Sequence, residues 1–294
     1  MNPPMIHGGV SENPQSEARS CVDVERLREV LPAARAAYAA AYPFPHVVID
    51  GFLRPEVARR LETEFPKPDH RIWKHHLHLN SHKFACNRLD AMPPLFQAVL
   101  RELNGRGVVE FLEALTGIVD LLPDDELEGG GLHQIVPGGF LKVHADFNYH
   151  PATRHHRRLN LLVYLNSGWL DSGRLDSDRP SPWNGNLELW DRSVSRCVKS
   201  IAPVLNRCVV FSTTDAAYHG HPRPLSCPSG MSRKSLALYY YTVARPTQET
   251  SEPHSTLYQR VPTDSLLASS LRLARQLPGA LPQVLRTSLK KRRG

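Results

Sequence analysis

The chain has 294 residues, 41% hydrophobic and 22% charged, ordinary proportions for a globular protein long enough to bury a good core. No run approaches the roughly 18 apolar residues of a membrane span, and the first twenty residues lack the basic and apolar regions of a secretory signal. The net charge of +7 is local, because Arg272, Arg275, Arg286, Lys290, Lys291, Arg292 and Arg293 account for all of it, which argues against a nucleic-acid binder.

Cys21, Cys86, Cys197, Cys208 and Cys227 are odd in number and form no C-x-x-C pair. That pattern suggests neither a disulfide framework nor a thiolate zinc site, and it points to reduced thiols in a cytoplasmic protein.

In chain order, residues 1–20 read as a disordered lead-in, polar and rich in Pro and Gly. Residues 22–41 are helix-favouring, with Pro32 predicting a kink or two helices. Pro43 to Leu53 reads as a strand closed by a turn. A helix from Arg54 to about Phe65 has Pro55 in its first turn and a stripe of Val57, Leu61 and Phe65. Residues 67–93 hold His70, His75, His76, His78 and His82 at spacings that fit no standard metal site, and are expected as a loop near an active-site mouth. Two amphipathic helices follow, about 95–103 and 108–115, the second ended by Gly117.

From about Leu132 short strands take over: Phe140 to Asp146, Leu159 to Asn166, Asn186 to Trp190, Arg207 to Phe211 and Ser235 to Thr242. Residues 167–185 look like a long mobile connection. The pattern predicts an α+β fold, a double-stranded β-helix (jelly-roll) core with N-terminal helices packed against one sheet. Residues 264–277 and about 284–293 predict a helical, basic C-terminal tail, expected to be a solvated terminus. The expected organisation is one domain over 21–246, its core at 132–243, then a C-terminal extension over 247–294.

The chemistry starts at His144-Ala145-Asp146. On a strand, residues two apart share a face, so imidazole and carboxylate enter one cavity. Two His and one carboxylate with open positions form the facial triad of non-haem Fe(II) oxygenases. His219 is the favoured third ligand, and His221 competes on the same parity. An acidic cosubstrate in that cavity needs a buried cation, and Arg233, with Ser235 on the same face, is preferred over Lys234. Arg158, Asn160 and Tyr164 have matching parity on the preceding strand; Asn160 and Tyr164 are candidate cosubstrate contacts, with core roles as the alternative. Asn148 and Arg158 are candidate substrate contacts, and His155 to Arg158 form a basic cluster nearby.

Gly138-Gly139-Phe140-Leu141-x-x-His144-x-Asp146-Phe147-Asn148, Arg158-x-Asn160, Tyr164-Leu165-Asn166, Gly185-x-Leu187-Glu188-Leu189-Trp190, Tyr218-His219-Gly220-His221-Pro222 and Arg233-x-Ser235-x-Ala237-x-Tyr239-Tyr240 appear in order. As a set they resemble the prolyl-4-hydroxylase-like branch of the 2-oxoglutarate/Fe(II) oxygenases. The resemblance implies a jelly-roll fold, and His144, Asp146 and His219 as catalytic iron ligands. It also implies 2-oxoglutarate and O2 as cosubstrates, ascorbate as a reductant, and succinate and CO2 as products of a substrate hydroxylation. Collagen-type relatives carry Lys where Arg233 and Lys234 compete here, so "prolyl" is not carried over. The expected partner is a small-molecule or peptide substrate, with no nucleic acid, and no oligomeric state is assigned. Two other readings are a metal-dependent hydrolase and a non-catalytic, cupin-like binding barrel.

Overall fold

The computed structural model describes residues 20–169 and 182–262. The lead-in up to residue 19, most of the expected mobile connection and the basic helical tail lie outside the described residues. The helices are α1 (Val24–Ala40), α2 (Pro55–Thr63), α3 (Pro94–Leu103) and α4 (Arg106–Thr116). The strands are β1 (His46–Asp50), β2 (Lys74–His78), β3 (Ser81–Cys86), β4 (Leu122–Pro123), β5 (Gly131–Ile135), β6 (Phe140–Ala145), β7 (His156–Tyr164), β8 (Leu187–Trp190), β9 (Cys197–Ile201), β10 (Arg207–Ser212), β11 (His219–His221), β12 (Arg233–Thr242) and β13 (Leu257–Tyr258).

Helix α1 is capped by Asp23, whose side chain accepts from the Arg26 amide. It runs unbroken through Pro32 instead of dividing there, with Leu27, Ala34 and Tyr38 buried on both sides of the proline. Proline removes one hydrogen bond, and anchoring on either side keeps the helix whole. Helix α4 ends as expected at Gly117, whose φ of 74° suits a residue without a Cβ.

The strands form one antiparallel sheet in the order β1-β10-β7-β12-β5-β3-β6-β11-β8-β9, with β13 beside β6, β2 beside β3 and β4 beside β12. On one face Leu159, Leu161 and Val163 of β7 and Leu236, Leu238 and Tyr240 of β12 pack with Leu27, Phe96 and Leu112 of the helices. On the other face Tyr164, Val209 and Phe211 meet Leu187, Leu189 and Ile201 from the far end of the strand order. The sheet therefore curls onto itself in a jelly-roll-like manner, with helices on its outer face and a cavity inside.

Residues 67–93 differ from the expected loop: β2 and β3 form a hairpin whose second strand joins both β5 and β6. The polar, His-rich composition hid strands that pair along their backbones. Among the described residues no helix is long and apolar enough to cross a membrane.

Candidate metal centre

Strand β6 opens after a tight turn at Gly138-Gly139 and carries His144 near its end, opposite His219 of β11. Gly220 lets these strands approach: a Cβ there would lie 2.8 Å from the Lys142 carbonyl oxygen and 2.9 Å from that of Leu141. His144 Nε2 lies 3.4 Å from Asp146 Oδ1, and His219 Nε2 lies 3.5 Å from Asp146 Oδ2. Ligand atoms of these three residues all fall within 4.8 Å of one another, the one such convergence of three or more His, Cys, Asp or Glu among the described residues.

Both imidazoles are fixed through their other nitrogen. His144 Nδ1 is 2.8 Å from the Lys142 carbonyl and His219 Nδ1 is 2.9 Å from that of Ala217. A carbonyl only accepts, so each Nδ1 carries the proton and each Nε2 presents a lone pair. Burial, and then the neighbouring His144, pull the His219 pKa down to about 4, so this ring is neutral at physiological pH. Burial alone would raise the Asp146 carboxyl, but the charged Arg157 beside it outweighs that effect and holds the group well below the usual range.

The Asp146 carboxylate is oriented from behind. Its Oδ2 accepts from Arg157 Nη2 at 3.0 Å and from Asn160 Nδ2 at 2.7 Å. Arg157 also donates to Asn160 Oδ1 and lies against the Tyr239 ring, 3.5 Å from its centroid. Asn160 thus lines the cavity with both ends of its amide committed to Asp146 and Arg157.

Strand parity along β7 breaks at Arg158. Tyr240 pairs with Leu159 while Tyr241 pairs with Arg157, leaving Arg158 as the extra residue of a bulge. Arg157 therefore joins Asn160 on the cavity face. Arg158, expected to contact substrate, lies on the other face, reaching Thr242 and Glu249. Asn148 borders a groove beside the cavity. Its amide donates to Ser251 Oγ and the Glu252 carbonyl and accepts from the His254 amide, so it pins the segment over the site. That segment continues into β13, where Tyr258 faces His144.

The cavity holds about 160 Å³ and reaches from the triad to Arg233 and Ser235. Arg233 is buried; its Nε donates to the Gly185 carbonyl at 2.7 Å and Nη2 to the Tyr164 hydroxyl at 3.1 Å. Tyr164 sits behind Arg233 and outside the cavity wall, and Ser235 pairs with it across β7 and β12. Lys234 is directed off the wall, and its backbone amide donates to Asn166 Oδ1. His221 lines the cavity but stands outside the triad.

Sequence reasoning missed Arg157, Lys83, His133, Tyr239 and Tyr258, all of which line the cavity. The tandem Arg157-Arg158 was a signal, but a bulge decides which arginine turns inward. Burial lowers Lys83 to about 8, with Asp146 opposing and Arg157 and Arg233 adding to the effect. Burial, then Lys83 and Arg233, keep His133 well below its usual pKa; burial, then Arg233 and Lys83, do the same to His221. The arrangement suits a divalent metal at one end and an anion at the other.

Residues 130–241 match the profile of the 2OG-Fe(II) oxygenase superfamily. A Trichoplax adhaerens prolyl hydroxylase, solved with a hypoxia inducible factor oxygen degradation domain peptide fragment, is 15% identical, with 74% of this chain and 92% of that chain covered, at a TM-score of 0.52. A Pseudomonas putida prolyl-4-hydroxylase is 17% identical over 72% of this chain and 98% of that chain, at a TM-score of 0.46. HygX from Streptomyces hygroscopicus, solved with nickel, 2-oxoglutarate and hygromycin B, is 14% identical over 74% and 93%, at 0.42. At such identities the likeness is one of fold, and the Trichoplax structure carries it. No curated protein sequence matches this chain significantly.

Proposed function

We propose that this chain, whose residues 130–241 match the 2-oxoglutarate/Fe(II) oxygenase superfamily profile, is a dioxygenase that hydroxylates an unactivated carbon of an amino-acid, peptide or natural-product substrate. Succinate and CO2 are the co-products. The observation that carries this reading is the pairing, in one cavity, of the His144, Asp146 and His219 cluster with the buried Arg233.

The donor set fits iron. Two imidazole Nε2 atoms with fixed tautomers and one carboxylate oxygen are the 2-His-1-carboxylate set, and Nδ1 of each ring is already satisfied. His144 Nε2, Asp146 Oδ1 and His219 Nε2 would hold the metal. Bound there with 2-oxoglutarate, iron supplies the oxygen activation that drives decarboxylation and hydroxylation.

The protein's own residues do the rest. Arg157 and Asn160 hold Asp146 ionised and in one rotamer, as supporting residues of metal sites do. Arg233 receives the C5 carboxylate of 2-oxoglutarate, Ser235 adds a hydroxyl, and Tyr164 and the Gly185 carbonyl fix the guanidinium. Leu162, Leu187 and Ile135 form apolar walls between these ends and keep water from the cosubstrate. A metal-dependent hydrolase would use the same three ligands but has no need of Arg233.

The reading is tested by succinate formation in air with Fe(II), ascorbate and 2-oxoglutarate. Wild-type protein is expected to turn over, and His144→Ala and Asp146→Ala to lose it. A protein that binds metal yet neither binds nor consumes 2-oxoglutarate contradicts the reading and favours the hydrolase.

A further inference from the structure

One end of the cavity presents two cations at the same height on the sheet. Arg233 of β12 pairs with Ile135 of β5. Strand β3 pairs with the other edge of β5, from Cys86 opposite Leu132 to Phe84 opposite Gln134. One residue further in that register, Lys83 stands beside Ile135. Arg233, Ile135 and Lys83 all line the cavity, so three adjacent strands turn these side chains inward at one level. Neighbouring strands lie roughly 4.8 Å apart, which sets the bases of the two cationic side chains about 10 Å apart with an apolar residue between them. Two residues along, Ser235 pairs with His133, and both line the cavity as well.

Neither cation is fully answered by the protein. Arg233 donates through Nε to the Gly185 carbonyl and through Nη2 to the Tyr164 hydroxyl, and among the described residues its Nη1 has no acceptor. Lys83 makes no hydrogen bond or ion pair among the described residues. His133 adds no charge, because burial, then Lys83 and Arg233, keep it neutral. Two cations sharing a partly closed cavity without an anion are costly, and a ligand anion relieves both. A carboxylate has two oxygens. Seated over Ile135, it accepts from Arg233 Nη1 on one oxygen and from the Lys83 ammonium on the other.

We infer that Lys83 is a second cosubstrate-binding residue, and that the C5 carboxylate of 2-oxoglutarate is held between Lys83 and Arg233 instead of by Arg233 alone. This rests on the oxygenase reading above. The planar guanidinium is fixed by Tyr164 and Gly185, whereas the ammonium is a point charge on a flexible stem, so the two take different oxygens of one group. Lys83 is then a specificity-determining residue for the cosubstrate. A 2-oxo acid without the distal carboxylate leaves both cations unanswered, and the cavity selects against it.

The test uses the full chain loaded with Mn(II) without oxygen. Two ligands are titrated by calorimetry: 2-oxoglutarate, and 2-oxovalerate, which has the same 2-oxo acid and chain length but no C5 carboxylate. Lys83→Met is expected to weaken 2-oxoglutarate at least about tenfold, as loss of a charge-assisted contact does. Its affinities for 2-oxovalerate and for Mn(II) stay within about twofold of wild type, because neither involves the C5 carboxylate. Lys83→Gln is expected to behave alike, and thermal melting checks the fold of each variant. The inference is overturned if both variants bind 2-oxoglutarate as tightly as wild type, or if they weaken Mn(II) or 2-oxovalerate by the same factor as 2-oxoglutarate. Wild-type protein that takes up Mn(II) but no 2-oxoglutarate overturns the oxygenase reading first, and this inference with it.

Discussion

Asp146 shows how much of a metal site is set by residues that never touch the metal. Its Oδ2 is held by Arg157 and Asn160, which also hold each other. Asn160→Ala removes one donor to the carboxylate and leaves part of the Arg157 guanidinium without its acceptor. Losing such a supporting partner typically costs 10–100-fold in metal affinity; Mn(II) titration is expected to show a loss in that range, and an unchanged affinity contradicts the role. The two neighbouring cations separate in the same way. Arg233→Met is expected to weaken 2-oxoglutarate binding by about 100-fold, since a buried charge-assisted pair is worth roughly 1.5–3 kcal/mol. Lys234→Met, whose side chain is off the cavity wall, is expected to change it less than about twofold.

At the scale of the element, the site depends on how closely β11 approaches β6. Gly220→Ala would drive a Cβ to 2.8 Å from the Lys142 carbonyl oxygen. That atom is backbone and cannot swing aside, so the strands must separate at the position flanked by His219 and His221. The expected cost is about 1–3 kcal/mol, read as a lower melting temperature with weakened Mn(II) binding; full stability and full affinity in this variant contradict the account. The same scale explains what the sequence disclosed. His144, Asp146 and His219 were legible because ligand chemistry and strand parity agree, and α4 was legible from its apolar stripe and its glycine. Arg157 was not, because one extra residue at Arg158 reverses parity within β7. Lys83 was not, because β3 is polar and joins the sheet through backbone pairing and the fold of distant strands, which composition does not encode.

At the scale of the whole molecule, curling the sheet places several imidazoles where they stay neutral. His219 is lowered to about 4, and His133 and His221 lie well below their usual range, burial being the largest cause in each. In the unfolded chain these groups take protons near 6.5. Between that pH and about 4 the unfolded state therefore binds more protons, and stability falls as pH falls. The loss is on the order of 3 kcal/mol for His219 alone. Metal-free protein is expected to melt at a nearly constant temperature from pH 7 to 8 and at steadily lower temperatures from 6.5 to 4.5. A melting temperature that stays flat through that lower range would mean these rings are not buried neutral.

The central claim is that one cavity holds a metal at His144, Asp146 and His219 and a 2-oxoglutarate carboxylate at Arg233. Its most direct test is a calorimetric titration of 2-oxoglutarate into the protein with and without Mn(II), in the absence of oxygen. One tight equivalent is expected that requires the metal, vanishes in Asp146→Ala and is strongly weakened in Arg233→Met. Binding that is indifferent to the metal, or that survives both substitutions, would contradict it.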